Sequence, residues 1–257
     1  MEIIRVDTSL DNLIEDVASY LGISPYKLLD VLAQYSDCSF ILNTDCYQYI
    51  AKHKKYTLRE FYLCHVAAKL DCDDHMELLP LDKLLTTQNS FSDFLLEHGI
   101  KFERSQNSRR KLDLFYKGKL IKYGNSRIKD RFSEDLCVNG YQFLYDITSS
   151  AQDYNEYCST PEFLQDLDRL LGNDLLNKFQ TQSQTYVALC RVPKGKIVFD
   201  TNVPVQNFEE RYIYSAMEYI WKYWKGGSGY NPALRALDTD TVKIEKWVPE
   251  KEIKRRR

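Results

Sequence analysis

The run Phe61-Tyr62-Leu63-Cys64-His65-Val66-Ala67-Ala68 is almost continuously apolar, bounded by Arg59-Glu60 before it and Lys69-Leu70-Asp71 after it. Its length, its aromatic residues and its valine predict a buried strand rather than a helix. His65 is the only strongly polar side chain in it. A buried imidazole without a partner costs about 1–3 kcal/mol. Two readings follow for His65: a core histidine bonded to a neighbouring carbonyl, or a residue lining a cavity. The small pair Ala67-Ala68 would let a ligand or another backbone approach closely.

Around this strand the pattern divides. Residues 8–36 predict two helices. The first is capped by Thr8 or Ser9, carries Leu10, Leu13, Ile14, Val17 and Leu21 at helical spacing, and stops at Gly22. The second starts at Ser24-Pro25, with serine as cap and proline at the first helical position. Residues 39–56 read as connection. After the strand come a short helix near Leu78–Leu85 and another capped by Asn89 or Ser90 and ended by Gly99. Ile100–Arg104, Leu112–Tyr116 and Leu120–Tyr123 read as strands, and Ser126–Glu134 as a short helix. Asn139-Gly140 reads as a turn feeding a strand over Tyr141–Ile147. A helix starts at Thr160-Pro161-Glu162 and ends at Gly172, and strands follow at Thr185–Val192 and Lys196–Phe199. The longest helix runs from Gln206 to Lys225, where the Ile213, Met217, Ile220 and Trp224 stripe is expected to be more buried than the side bearing Tyr214 and Trp221. Thr241–Val248 alternates as a strand, with Lys243, Glu245 and Trp247 expected on one face. The fold class expected is α+β: an N-terminal helical segment over residues 1–57, then a mixed, mainly antiparallel sheet domain over 58–257.

Composition excludes several classes. The chain has 35 basic and 37 acidic residues, a net charge of −2, so no global field recruits nucleic acid or membrane. No apolar run approaches the roughly 18–20 residues of a membrane span, and no secretory leader is visible at the N-terminus. The seven cysteines are scattered and odd in number. They read as reduced thiols, and a cytoplasmic location is expected.

Cys64, His65, Cys72 and His75 invite a zinc reading, but neighbours on a strand point to opposite faces and no second paired spacing completes a tetrahedral set. No metal site is expected. Gly226–Gly229 lacks the lysine and hydroxyl residue of a phosphate loop and reads as a helix terminator. The basic loop from Arg104 to Lys111 and the C-terminal Lys-Arg-Arg-Arg read either as solvated charge or as a patch for an anionic partner, where Phe102, Phe115 and Tyr116 could stack bases.

A strand carrying histidine and small residues, then a helix and Leu78-Leu79-Pro80, resembles the opening of ADP-ribosyltransferase folds. Val66-Ala67 stands where that family usually has glycine followed by serine or threonine. The resemblance spans roughly residues 58–253 as an order of elements. It implies that His65 contacts the ribose of NAD and that Tyr116 or Tyr141 stacks on nicotinamide. It also implies that Glu245, in Val242-Lys243-Ile244-Glu245-Lys246-Trp247-Val248-Pro249, promotes transfer, with Asp240 the alternative acid. The function implied is NAD-dependent ADP-ribosyl transfer to a macromolecular acceptor, protein or nucleic acid, in a toxin or defence setting, with NAD as substrate. The alternative is a non-enzymatic module that binds protein or nucleic acid through the basic loop and aromatic surface.

Overall fold

The computed structural model describes residues 3–7, 9–34, 44–70, 75–106, 112–124, 127–134, 137–144, 147, 161–200, 207–227, 231–237 and 241–254. Asp240, the end of the basic loop from residue 107 and residues 255–257 lie outside them. The fold is α+β, and every strand pairing among the described residues is antiparallel.

The helices α1 (Leu10–Leu21) and α2 (Pro25–Ala33) form where the caps predict them. Ser9 and Ser24 accept from the backbone of Asn12 and Lys27, and Gly22 closes α1 in the left-handed region at φ 67°. A third helix, α3 (Thr44–His53), occupies the stretch expected to be connection. Its apolar signal is thin, but Cys46 and Ile50, one turn apart, are both fully buried.

The central strand β1 (Glu60–Leu70) is followed by β2 (Glu77–Leu78), α4 (Leu81–Thr86) and α5 (Ser90–Glu97). Next come β3 (Ile100–Arg104), β4 (Leu112–Tyr116), β5 (Lys119–Ile121), α6 (Arg127–Glu134) and β6 (Val138–Tyr141). The remaining elements are α7 (Glu162–Leu171), α8 (Leu175–Gln182), β7 (Ser183–Pro193), β8 (Ile197–Phe199), α9 (Phe208–Trp224), β9 (Ala233–Ala236), β10 (Val242–Pro249) and α10 (Glu250–Lys254). A seven-stranded sheet runs in the order β2-β10-β7-β1-β6-β9-β8, and β3-β4-β5 form a separate three-stranded sheet.

Two apolar cores result. The larger joins the seven-stranded sheet, α9 and the N-terminal helices, so Val17, Leu21, Leu28 and Ile50 belong to the same core as Leu63, Leu189 and Ile213. The smaller lies under the three-stranded sheet and is rich in phenylalanine: Phe94, Phe102, Phe132, Phe163 and Phe179. Leu70, at the end of β1, belongs to the second core.

The long helix α9 departs from the one-sided burial expected of it. Every residue from Tyr212 to Trp221 is buried, with Ile213 and Tyr214 equally inaccessible at 0%. The cause is the N-terminal segment, which covers the side the sheet leaves open. Tyr47 of α3 stacks on Tyr214 at 4.5 Å, and Arg211 lies over the Tyr214 ring and donates to the Tyr47 hydroxyl. At the start of α9, buried Glu209 ties three segments together. It accepts from the Tyr20 hydroxyl (2.9 Å), the Leu58 amide (3.0 Å) and Lys194 Nζ (2.6 Å). Burial pushes the carboxyl pKa up, but Lys194, the Leu58 amide and the Tyr20 hydroxyl together outweigh it, and the net shift is downward.

Two predictions follow from this packing. Tyr214→Ala and Ile220→Ala should each destabilise the protein by about 2–5 kcal/mol in chemical denaturation, since both leave cavities in one core. Glu209 is held ionised by the fold, so its contribution is complete above its unfolded pKa, near 4.3, and is lost as pH falls through the lower folded value. Glu209→Gln should lower stability at neutral pH by about 1–3 kcal/mol. The deficit relative to the parent should shrink in strong acid.

Candidate functional site

On one side β1 pairs with β7 along its whole length, from Glu60↔Pro193 to Leu70↔Ser183. On the other side it meets β6 at a single position, Cys64↔Tyr141. Beyond that point the two strands part, and a cleft of about 1090 Å³ opens between the two cores. Residues 65–70 of β1 and 137–141 at β6 both line it.

Gly140 sits at the apex of this fork. A Cβ there would fall 2.6 Å from the Cys64 carbonyl oxygen and 3.0 Å from its carbon, so the strands approach as closely as they do only because residue 140 has no side chain. This is why Asn139-Gly140 lies inside β6 and not in the turn its sequence suggests. The Cys64 carbonyl is directed at β6. Backbone groups alternate along an antiparallel strand, so those of Val66 and Ala68 are directed the same way, into the fork. Among the described residues β6 supplies no partner to them.

His65 spans the fork. Its Nδ1 lies 2.6 Å from the Asn139 carbonyl oxygen. A carbonyl only accepts, so Nδ1 carries the proton. Burial holds the imidazole pKa below its ordinary value, opposed by the bond to Asn139. The ring is therefore neutral at pH 7, and Nε2 is left as an acceptor. His65 thus bonds a neighbouring carbonyl and lines a cavity, but it is half-buried and belongs to neither core.

Aromatic groups complete the walls. Tyr141 lies at the fork and Phe91 at the far end, while Trp247 stands across the sheet from His65. Trp247 and His65 both oppose Ala188 and so share one face. The indole is held by a bond from Nε1 to the His75 carbonyl (2.9 Å) and by edge contact with Tyr186. Lys69, also in the cleft, lies over the Tyr186 and Trp247 rings.

Of the residues implied by the resemblance, His65 and Tyr141 meet in this cleft; Tyr116 and Glu245 are not among the residues that line it. Tyr116 is on β4 and packs against the second core, with Lys117 over its ring. Glu245 accepts from Arg191 Nε (2.5 Å) and the Tyr62 hydroxyl (3.0 Å). Tyr62 and Arg191 are cross-strand partners, and Tyr62 is three residues from His65, so this group lies on the opposite face. Burial and the bond to Glu245 push the Tyr62 phenol up to about 12, so it stays protonated as a donor. The expected shared face of Glu245 and Trp247 fails for a definite reason. Ile244 opposes Cys190 while Lys246 opposes Leu189, so Glu245 is the extra residue of a bulge. Asp240 lies outside the described residues.

The carboxylates that do line the cleft are Glu77, Glu162 and Asp200. Glu162 is bound by Arg131 (2.6 Å) and Asp200 by Arg235, whereas Glu77 has no ion pair among the described residues. No group of three or more possible metal ligands occurs among the described residues, and no described helix is long and apolar enough to cross a membrane.

Gly140→Ala should destabilise the protein by about 1–3 kcal/mol in urea titration, as overpacking against backbone that cannot give way. Comparison with protein-family models, with curated proteins and with solved structures finds no match for this chain.

Proposed function

We propose that the cleft binds NAD and that the protein transfers ADP-ribose from it to a macromolecular acceptor. The observation that carries this reading is the fork itself: a neutral His65 beside two outward-facing backbone positions, with Tyr141 at the apex. In this reading Nε2 of His65 accepts from a ribose hydroxyl. The backbone of Val66 and Ala68 offers both a donor and an acceptor to a planar amide, and the Tyr141 ring lies against the nicotinamide. The volume suits a ligand of dinucleotide size, being just above the roughly 300–1,000 Å³ common for small-molecule sites.

Transfer breaks the bond between ribose C1′ and the nicotinamide nitrogen. Nicotinamide leaves with the electron pair, positive charge builds on the ribose, and an acceptor nucleophile bonds to C1′ and gives up its proton. A carboxylate beside the ribose stabilises that charge. Glu77 is exposed and is the carboxylate of the cleft with no ion pair among the described residues, and this reading assigns the role to it; Glu245 is already engaged by Arg191 and Tyr62.

The test is calorimetric titration with NAD combined with release of nicotinamide. NAD should bind, and His65→Ala should weaken it while the protein stays folded. Affinity should also fall as pH drops through the His65 pKa, which burial holds below 6.5, because protonation removes the acceptor at Nε2. Glu77→Gln should leave NAD affinity nearly unchanged and cut nicotinamide release by about a hundredfold or more. Glu245→Gln should leave release within a few-fold of the parent. Loss of release with Glu245→Gln or Asp240→Asn, but not with Glu77→Gln, would reassign the acid. Absence of NAD binding to the parent protein would remove the reading.

A further inference from the structure

We infer that the far, phenylalanine-lined end of the cleft takes the purine ring of the dinucleotide and reads it by stacking, without discriminating its edge. The inference rests on the NAD reading and adds a specificity to it.

The cleft has two chemically different ends. From His65, next to Cys64 of the first core, to Leu70 of the second, β1 runs five residues of strand or about 16 Å. An extended dinucleotide separates its two rings by a distance of that order. At the far end the cleft meets Phe91, Phe163 and Phe179, with Leu81 and Leu84 beside them. Phe163 and Phe179 are almost wholly buried, but Phe91 is only half-buried. Phe91 packs at right angles to Phe179, at 5.6 Å between ring centres. This leaves a flat apolar surface at the cleft wall, supported from behind by a rigid aromatic cluster.

Apart from Ser90, the polar groups nearby are committed elsewhere. Both ends of the Asn89 amide are engaged: Oδ1 caps α5 by accepting from the Phe91 and Ser92 amides, and Nδ2 donates to the carbonyls of Leu84 in α4 and Thr87 just after it. Arg131 and Glu162, which also line this side, bind each other, and Arg131 binds Asp166 as well. A purine placed against Phe91 gains stacking and finds few groups turned toward its edge. Lys69 also lines the cleft, with its ammonium held over the Tyr186 and Trp247 rings of β7 and β10.

The test compares four nicotinamide ligands by calorimetry: NAD, its hypoxanthine and guanine analogues, and nicotinamide mononucleotide, which lacks the second base. ADP, IDP and GDP are titrated separately. The two analogues should bind within about threefold of NAD. The mononucleotide should bind more weakly by about 5- to 150-fold, the range expected from losing one stacked base. Phe91→Ala should bring NAD down to the mononucleotide, and Phe91→Leu, which keeps apolar volume without a ring, should do nearly the same if the alanine variant is unstable. Phe91→Tyr should retain parent affinity. A preference above about tenfold for adenine over hypoxanthine overturns the inference and leaves the NAD reading standing, as does a mononucleotide that binds as tightly as NAD. ADP and IDP binding alike, with sensitivity to Phe91, in a protein that gains nothing from the nicotinamide half would uphold this end of the cleft and remove the NAD reading. Absence of binding by all seven ligands overturns both.

Discussion

The ladder between β1 and β7 is the constraint on which the rest of this molecule depends. It is continuous over 11 residues and passes through both cores, so the two apolar clusters cannot move apart without breaking main-chain bonds. The cleft between them is therefore framed by a rigid element along its full depth. Its opening comes from the other edge of the same strand, where β6 stays beside β1 for one residue pair and then leaves. One strand thus supplies both the rigidity and the vacancy.

A second set of ties holds the N-terminal helices in place. Glu209 binds the tyrosine of α1, the backbone just before β1 and the lysine after β7, and the Tyr47–Tyr214 stack seals the outer side of α9. The helix is covered on both sides and acts as a central beam. The N-terminal segment is thereby part of the support of the sheet that frames the cleft.

Much of the fold was legible in the sequence where local chemistry decides structure. Ser9, Ser24 and Asn89 cap as their positions suggest, and Gly22 and Gly172 end helices in the left-handed region. The failures are cases where a distant part of the chain decides. Helix α3 is stabilised by burial of Cys46 and Ile50 against elements far away in sequence, and β9 is a four-residue strand whose only support is its neighbours in the sheet. Asn139-Gly140 carries a turn signature, yet its glycine answers to a strand some 75 residues earlier. In the candidate site, His65 stood out because it is the one polar residue in an apolar run. Phe91 did not, because a phenylalanine on an amphipathic helix looks the same whether it faces a core or a cleft. Glu77 was equally hidden, as an ordinary acid in a polar stretch.

The bulge at Glu245 carries a consequence for how this strand can change. The inserted residue works as a parity switch: before it β10 places Ile244 on the cleft face, after it Trp247, and Glu245 and Lys246 both fall to the other side. Removing the inserted position would restore simple alternation from Val242 through Pro249 and still leave the indole where it is. A one-residue insertion or deletion anywhere between Lys246 and Val248 would send alternate side chains across the sheet. Tolerance at this strand is thus a matter of chain length rather than of side-chain type, and the one position where length is free is the acid that grips Arg191.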